Sequence, residues 1–478
     1  MTPLDLTTQA RQDPVTRHLF EALPAIHDWL FDYLRIASVS TDPQFLPDMQ
    51  RARDYLRARL SDMGLEQVQE LDGGGAPALF GQWCHAPGRP TIIIYGHYDV
   101  QPADPFEQWR TPPFEPTVVG NCIYARGASD VKSATTIALE TVRAFLAVEK
   151  QCPVNIKVFL EGEEEVGSPS LRNIISRYRE LLAADAMLSA DGGRVSATHP
   201  SINVGARGNA MAELTLQTAS KDLHSGRYGG AVRNALHELS NLLASLHHED
   251  GSVAVAGFYA GVKPLSDEER RQVAVLPFSE EEFVSEVAGC NYGEAGFSLR
   301  ERVTLRPCID VNGMWGGYTG EGGKTIIPSE AHAKLSIRVV PGQDPAEAMQ
   351  SVMAHLQSRL RAGVQLRWGQ VTIGAPASSL SAEHPLVEAA AKALLARTGQ
   401  AAVPVRLGAS VPITSIFKET LGIDTLMFGH NLPDEDVHAP NEFFRLQSIE
   451  EGLLDWTAIL RHLGAYRPEA LRELATAS

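Results

Sequence analysis

The sequence predicts an α/β fold, a mixed and mostly parallel sheet sandwiched by helices, carrying an inserted α+β domain. Three observations lead there. Short apolar runs such as "TIIIYG", "NIKVFLEG", "DAMLSADG" and "DTLMFGH" have the unbroken hydrophobicity of strands covered on both faces. Helical patterns, "KSATTIALETVRAFLAVEK" among them, fall between some of these runs, the alternation from which parallel sheets are built. From about Arg207 the texture changes to alternating apolar and polar residues, and after about Gly374 the strand-and-helix text resumes. With 478 residues, 44% hydrophobic and 21% charged, the chain has enough core for two or more domains.

In chain order, "LPAIHDWLFDYLRIAS" and "DMQRARDYLRARLSDMG" repeat apolar residues at helical spacing, the second stopping at Gly64. The apolar strands follow. The middle block offers "NAMAELTLQTAS", "RVTLRPCIDVNGMW" and "EAHAKLSIRVVPG" as half-exposed antiparallel strands, with "NALHELSNLLASLHH" and "PAEAMQSVMAHLQSRLRAG" as helices. "HPLVEAAAKALLARTG" and "DTLMFGH" then return to the first pattern. The expected division is 1–207 and 376–478 as two parts of one domain, with 208–375 inserted between them.

Charge and cysteine usage narrow the function classes. A formal net charge of -16 disfavours tracking of a phosphate backbone, so no nucleic-acid partner is expected. Cys84, Cys122, Cys152, Cys290 and Cys308 are scattered, odd in number and free of C-x-x-C, which fits a reducing cytoplasm and no thiolate metal site. The opening "MTPLDLTTQARQDPVTRHLF" lacks a basic segment followed by an apolar one, and no run approaches the roughly 18 apolar residues that span a bilayer. The expectation is a cytoplasmic protein without a membrane partner.

The polar residues at the strand ends carry the chemistry. "IIIYGHYDVQP" places His97 and Asp99 after one apolar run, and "EGEEEVGS" places Glu163, Glu164 and Glu165 after a second. "LSADGG" brings Asp191, and "LMFGHNLPDEDVHAPNE" brings His430 and His438. Any one of these alone reads best as an ordinary polar turn. In open α/β sheets, however, ligands gather beyond the carboxyl ends of strands, and four such ends coincide here. Imidazoles and carboxylates without thiolate form a set suited to zinc or manganese, and two close metals need a bridging carboxylate. Asp130, in the glycine-bearing loop of "YARGASDVKS", is available for that. Asp99 lies two residues beyond His97, so strand alternation would let its carboxylate accept the second ring N–H.

Together "GHYDVQP", "ARGASDVKS", "EGEEEVGS", "SADG", "DLHSGRYGG", "GGKTIIP", "LSIRVVP" and "DVHAPNE" resemble the ordered motifs of the dinuclear zinc peptidases. That group includes aminoacylase and glutamate carboxypeptidase, and the resemblance is closest to the carnosinase-like cytosolic dipeptidases. It implies His97, Asp130, Glu165, Asp191 and His438 as ligands of two divalent ions, zinc first, with manganese or cobalt as alternatives. Asp130 would bridge them and Glu164 would be the general base. It further implies a homodimer joined through the inserted domain, with His224 reaching the partner's site, and Thr325, Arg338 and Ser410 binding substrate. The peptide bond after the bridging aspartate tends to be cis in that family. Two departures stand out: Val131, Lys132 and Ser133 follow Asp130 where relatives often carry a second acid and a glycine, and "GASVP" has one glycine fewer before Ser410.

The implied reaction is hydrolysis of an amide in a dipeptide or similar small substrate ending in a free carboxylate. Glu164 would take a proton from the attacking water and return it to the leaving amine. A planar guanidinium at Arg338 suits bidentate binding of the terminal carboxylate, although a surface strand arginine is the plain alternative. N-deacylation of an acylated amino acid uses the same groups; the long segment around "GFYAGVKPLSDEERRQ" resembles the larger lid of the dipeptidases and favours them. A non-catalytic binding or scaffold relative is a remoter alternative, set against by retention of every ligand. "GGYTGEGGKT" is not a phosphate loop, because Tyr318 stands where its first glycine is required.

Overall fold

Ile92, Ile93 and Ile94 are all buried although they point alternately to opposite faces, so the strand Thr91–His97 lies in a sheet covered on both sides. The computed structural model describes residues 5–277 and 279–472. Two compact units emerge: Met1–Val204 with Leu380–Val405 and Ile416–Ser478, and Gly205–Ser379 with Arg406–Ser415.

In the first unit, Asn155–Glu161, Thr91–His97, Ala186–Ser189 and Asp424–Met427 are neighbours and run parallel. Ala78–Trp83 and Glu66–Leu71 extend one edge antiparallel, and Ser201–Ala206 pairs antiparallel at the other. The sheet is therefore mixed with a parallel centre. On one face Ile92, Ile94, Val158 and Leu188 share a core with Ile137 of helix Ser133–Val148 and with Leu453 and Trp456 of helix Leu446–Leu463. On the other face the rings of Tyr95, Phe159 and Phe417 pack with centroids 5.6 to 6.4 Å apart.

The second unit is built on an antiparallel sheet in the order Cys308–Gly316, Glu330–Val339, Gly208–Gln217, Gln365–Ile373. Alternate residues Ala210, Ala212, Leu214 and Leu216 are buried in a core that includes Leu239 and Leu243 of helix Ala235–Ala244 and Val352 and Leu356 of helix Pro345–Ser358. The strand expected to begin in "RVTLRP" starts only at Cys308. Leu299–Leu305 is a helix instead, because Ser298 and Glu301 form a reciprocal capping box that nucleates it. Arg406–Ser415 belongs to this unit, whereas the sequence reading assigned it to the third segment: Arg207 Nε donates to Gly408 O at 2.7 Å and Arg338 Nη1 to Ser410 Oγ at 3.0 Å. Among the described residues no helix is long and apolar enough to cross a membrane.

Candidate metal centre

The parallel strands discharge their polar residues at one end. Thr91–His97 terminates in His97, and the Glu161 strand leads into the turn Glu164–Val166. Asp191 follows Ala186–Ser189, and His438 lies beyond Asp424–Met427. The register sets His97 opposite Glu161 and Tyr95 opposite Ser189, so these exits are adjacent. Close backbone approach is required there: a Cβ on Gly192 would stand 2.9 Å from the main-chain carbonyl carbon of Met427.

Two donor groups result, His97 with Asp130 and Asp191, and Asp130 with Glu165 and His438, each with donor atoms within 4.8 Å of one another. Asp130 belongs to both. Its Oδ1 lies 3.1 Å from His97 Nε2 and its Oδ2 3.0 Å from His438 Nε2. Glu165 Oε2 is 3.2 Å from the same His438 nitrogen and accepts from Gln101 Nε2 at 2.8 Å. Asp130 sits in a turn entered through Gly127 at φ +81°, a left-handed conformation natural to glycine, and its bond to Val131 is cis.

The second nitrogen of His97 meets a different partner from the one expected. Nδ1 lies 3.0 Å from the main-chain oxygen of Asp99, while the nearer carboxylate oxygen is 3.5 Å away. The strand ends at His97, so two-residue alternation does not continue to Asp99. The other Asp99 oxygen instead accepts the Glu165 N–H at 3.1 Å, tying the two loops together. Either way the ring presents Nε2 to the cluster. The glutamate run also divides by partner: Glu163 accepts from Ala76 N at 2.8 Å and Ser170 N at 3.1 Å as a structural brace, leaving Glu164 and Glu165 to the site. His430, the other histidine of its motif, is buried against Asp455 at 3.0 Å and is not part of either donor group.

Electrostatically the cluster has too many carboxylates for its own cations. Burial pushes Glu164 up to about 8, with Asp191, Asp130 and Glu165 adding to the shift against His97. Burial and then Asp130 push Asp191 up to about 7. Asp130 goes the other way: burial would raise it, but hydrogen bonds to His438 and His97 hold it well below the usual carboxylate range. Bonds to Asp130 and then Glu165 carry His438 up to about 10. Two imidazoles and several carboxylates, no thiolate, and one carboxylate facing both histidines fit a pair of divalent cations, which would relieve the repulsion.

The remaining expected residues lie in the second unit. His224 is exposed, and its Nδ1 accepts from Gly226 N at 3.0 Å, leaving Nε2 free to donate. Thr325 is beside it, its carbonyl accepting from Ser225 N at 3.0 Å. Arg338 and Ser410 form the hydrogen-bonded pair already noted. Sequence reasoning passed over Arg126 and Glu442, buried charges in the motifs "ARGASD" and "HAPNE", and Gln101; for the two charges the signal was a charged residue inside a quoted motif without a ligand role.

A family model described as "Peptidase family M20/M25/M40" matches residues 93–462. The chain is 28% identical over 453 residues to a Beta-Ala-His dipeptidase of Homo sapiens, covering 91% of this chain and 88% of the relative. It is 26% identical over 474 residues to a Cys-Gly metallodipeptidase of Candida albicans, covering 94% and 97%. Among solved structures, an M20 family metallo-carboxypeptidase from Sulfolobus solfataricus superposes with a TM-score of 0.79 at 28% identity, covering 91% of this chain and 98% of that one.

Proposed function

The chain belongs to peptidase family M20/M25/M40, a metal-dependent hydrolase family, and from that premise we propose that it is a dipeptidase acting on small substrates with a free C-terminal carboxylate. The observation that carries this reading is Asp130, one carboxylate with an oxygen at each of two histidines, between donor groups completed by Asp191 and Glu165. His97, Asp130, Glu165, Asp191 and His438 would hold two divalent ions, zinc in the first instance and replaceable by manganese or cobalt. Bound there, the ions would supply Lewis acidity to the attacking water and the amide carbonyl.

Glu164 accepts the proton of the attacking water and passes it to the departing amine; its half-buried carboxyl beside the donor groups, pushed up to about 8, suits both steps. Asp99 fixes His97 through its carbonyl and the Glu165 turn through its carboxylate. Arg338, braced by Ser410, takes the substrate carboxylate, and Thr325 contributes beside His224. His224, with a free Nε2, is delivered to the site of a partner subunit in a homodimer joined through the second unit, and there stabilises the oxyanion. Five cysteines without a disulfide among the described residues support a cytoplasmic setting.

The test is a panel of dipeptides, their C-terminal amides and N-acyl amino acids, each assayed with zinc, manganese and cobalt. The reading requires hydrolysis of free dipeptides in preference to both other classes. Preferential turnover of N-acyl amino acids would replace it with a deacylase.

A further inference from the structure

Resting on the reading of a two-cation site, we propose that the buried Arg126–Glu442 pair is the positioning element of that site, locking the loops that carry Asp130 and His438 into binding geometry. Glu442 is fully buried and Arg126 is 1% exposed. Both oxygens of the glutamate are used on one short stretch of main chain. Oε1 accepts from Ser129 N at 2.8 Å and Asp130 N at 3.0 Å; Oε2 accepts from Gly127 N at 2.9 Å and Arg126 Nη1 at 2.7 Å. The carboxylate thus sits in a nest of amides that fixes the backbone at Asp130 itself.

Arg126 extends the clamp outward. Its Nη2 donates to Pro102 O at 3.1 Å and to Ala439 O at 3.2 Å, three residues past Asp99 and one past His438. One guanidinium therefore spans all three loops: the one after His97, the one holding Asp130, and the one holding His438. The ring of Trp109 lies 5.4 Å from the guanidinium carbon, covering the group. Ser129 Oγ donates to the buried Glu435 at 2.7 Å, which in turn accepts from Arg445 at 2.9 Å, adding a second tie between the Asp130 and His438 loops.

The His438 loop carries backbone conformations that its surroundings must hold. Asp436, His438 and Asn441 have φ of +51°, +64° and +70°, left-handed values at residues other than glycine. Asn441 is pinned by its own bonds to Arg110 N at 2.7 Å and Gln108 O at 3.0 Å. His438 is held through its ring by Asp130 and Glu165, and its backbone is fixed beside it by Ala439 N donating to Asp436 O at 2.9 Å and by Arg126 on the Ala439 carbonyl. Without the pair, the two oxygens of Asp130 would lose their fixed relation to the two imidazoles.

The test is zinc affinity, measured by competition against a chromophoric chelator, alongside melting temperature. Glu442→Gln puts an amide N–H against backbone donors and is expected to weaken zinc binding about 10- to 100-fold, the usual effect of losing an outer-sphere partner. Glu140→Gln removes the buried partner of Arg59 in the same unit; it is expected to lower the melting temperature and leave zinc affinity unchanged. A folded Glu442→Gln chain with wild-type zinc affinity overturns the assignment. If that variant does not fold, Arg126→Lys keeps the charge but cannot span Glu442 and both carbonyls, and wild-type affinity there overturns it equally. A wild-type chain that takes up no zinc removes the two-cation reading as well, whereas normal wild-type uptake unaffected by either variant removes only the clamp.

Discussion

Replacing Glu164 with glutamine separates two consequences of one carboxyl. With metal bound, loss of a positioned general base lowers turnover by about 10² to 10⁴, equivalent to about 3 to 5 kcal/mol of barrier. In the chelated protein the same change stabilises the fold. Burial and the carboxylates of Asp191, Asp130 and Glu165 raise Glu164 from 4.5 to about 8. A carboxyl raised in the folded state contributes fully below its unfolded value, and the contribution disappears as pH climbs through the folded one. Between pH 4.5 and 8 the wild type therefore loses stability through this group, at most about 5 kcal/mol and nearer a few because neighbouring acids share the repulsion. Glutamine loses none. At about 2 °C or slightly more per kcal/mol for a unit of this size, Glu164→Gln should melt several degrees above wild type at pH 9 in chelator and at the same temperature at pH 4. Scanning calorimetry at both pH values and kcat at verified metal content are the two assays. Unchanged turnover at full occupancy removes Glu164 as the base, and identical melting at pH 9 refutes the account of carboxylate crowding.

Metal analysis of active protein should find close to two divalent ions per chain, with activity abolished by chelation and restored by zinc, manganese or cobalt. Active protein without metal would sink the proposed mechanism. Because Asp130 belongs to both donor groups, Asp130→Ala should empty both sites, whereas Asp191→Ala should leave one ion retained in equilibrium dialysis; equal losses from the two variants would contradict the sharing. Arg338→Ala should raise KM for free dipeptides about 10- to 100-fold, the scale of a charged hydrogen bond, without affecting C-terminal amides; a uniform loss would make it structural. Mixing His224→Ala with Glu164→Gln chains under conditions of subunit exchange should restore part of the activity, since one site per mixed dimer has both residues. No recovery despite proven exchange would rule out donation in trans.

What could be read without coordinates follows from how local each signal is. The parallel centre was legible because "TIIIYG" and "NIKVFLEG" are buried on both faces and must be uniformly apolar. His97, Asp191 and Glu165, which the structure brings into the donor groups, could be placed together because each lies at or a few residues beyond the end of such a strand. The Asp99 carboxylate stands 3.5 Å from His97 Nδ1, behind its own carbonyl at 3.0 Å, since the alternation that pointed to it stops at the last strand residue. Ser298 hid a helix inside an alternating string, because a capping box competes with strand patterning over so short a span. Arg126 and Glu442 are 316 residues apart, and nothing local to either names the other. Long-range ion pairs of this kind are settled by topology, and a single sequence carries no trace of them.

His430 and His438 sharpen the point, since they leave the same strand and look alike in sequence. His430 enters a set of charges that closes on itself: Asp455 at 3.0 Å, Arg397 bonded to that aspartate at 2.8 Å, and Glu451 paired with Arg194. Acids and bases there are matched and buried together, and burial lowers His430, keeping it neutral. His438 enters a set in which Asp130, Glu165, Asp191 and Glu164 outnumber the two imidazoles, and burial raises Glu164 and Asp191 because no side chain completes the balance. An excess of carboxylate is relieved by protonation, as the raised Glu164 and Asp191 show, or by added positive charge, and the Arg126–Glu442 pair holds the backbone at Asp130 in place meanwhile. Charge imbalance, more than the presence of histidine, is what distinguishes the candidate metal centre from the Asp455 network in this chain.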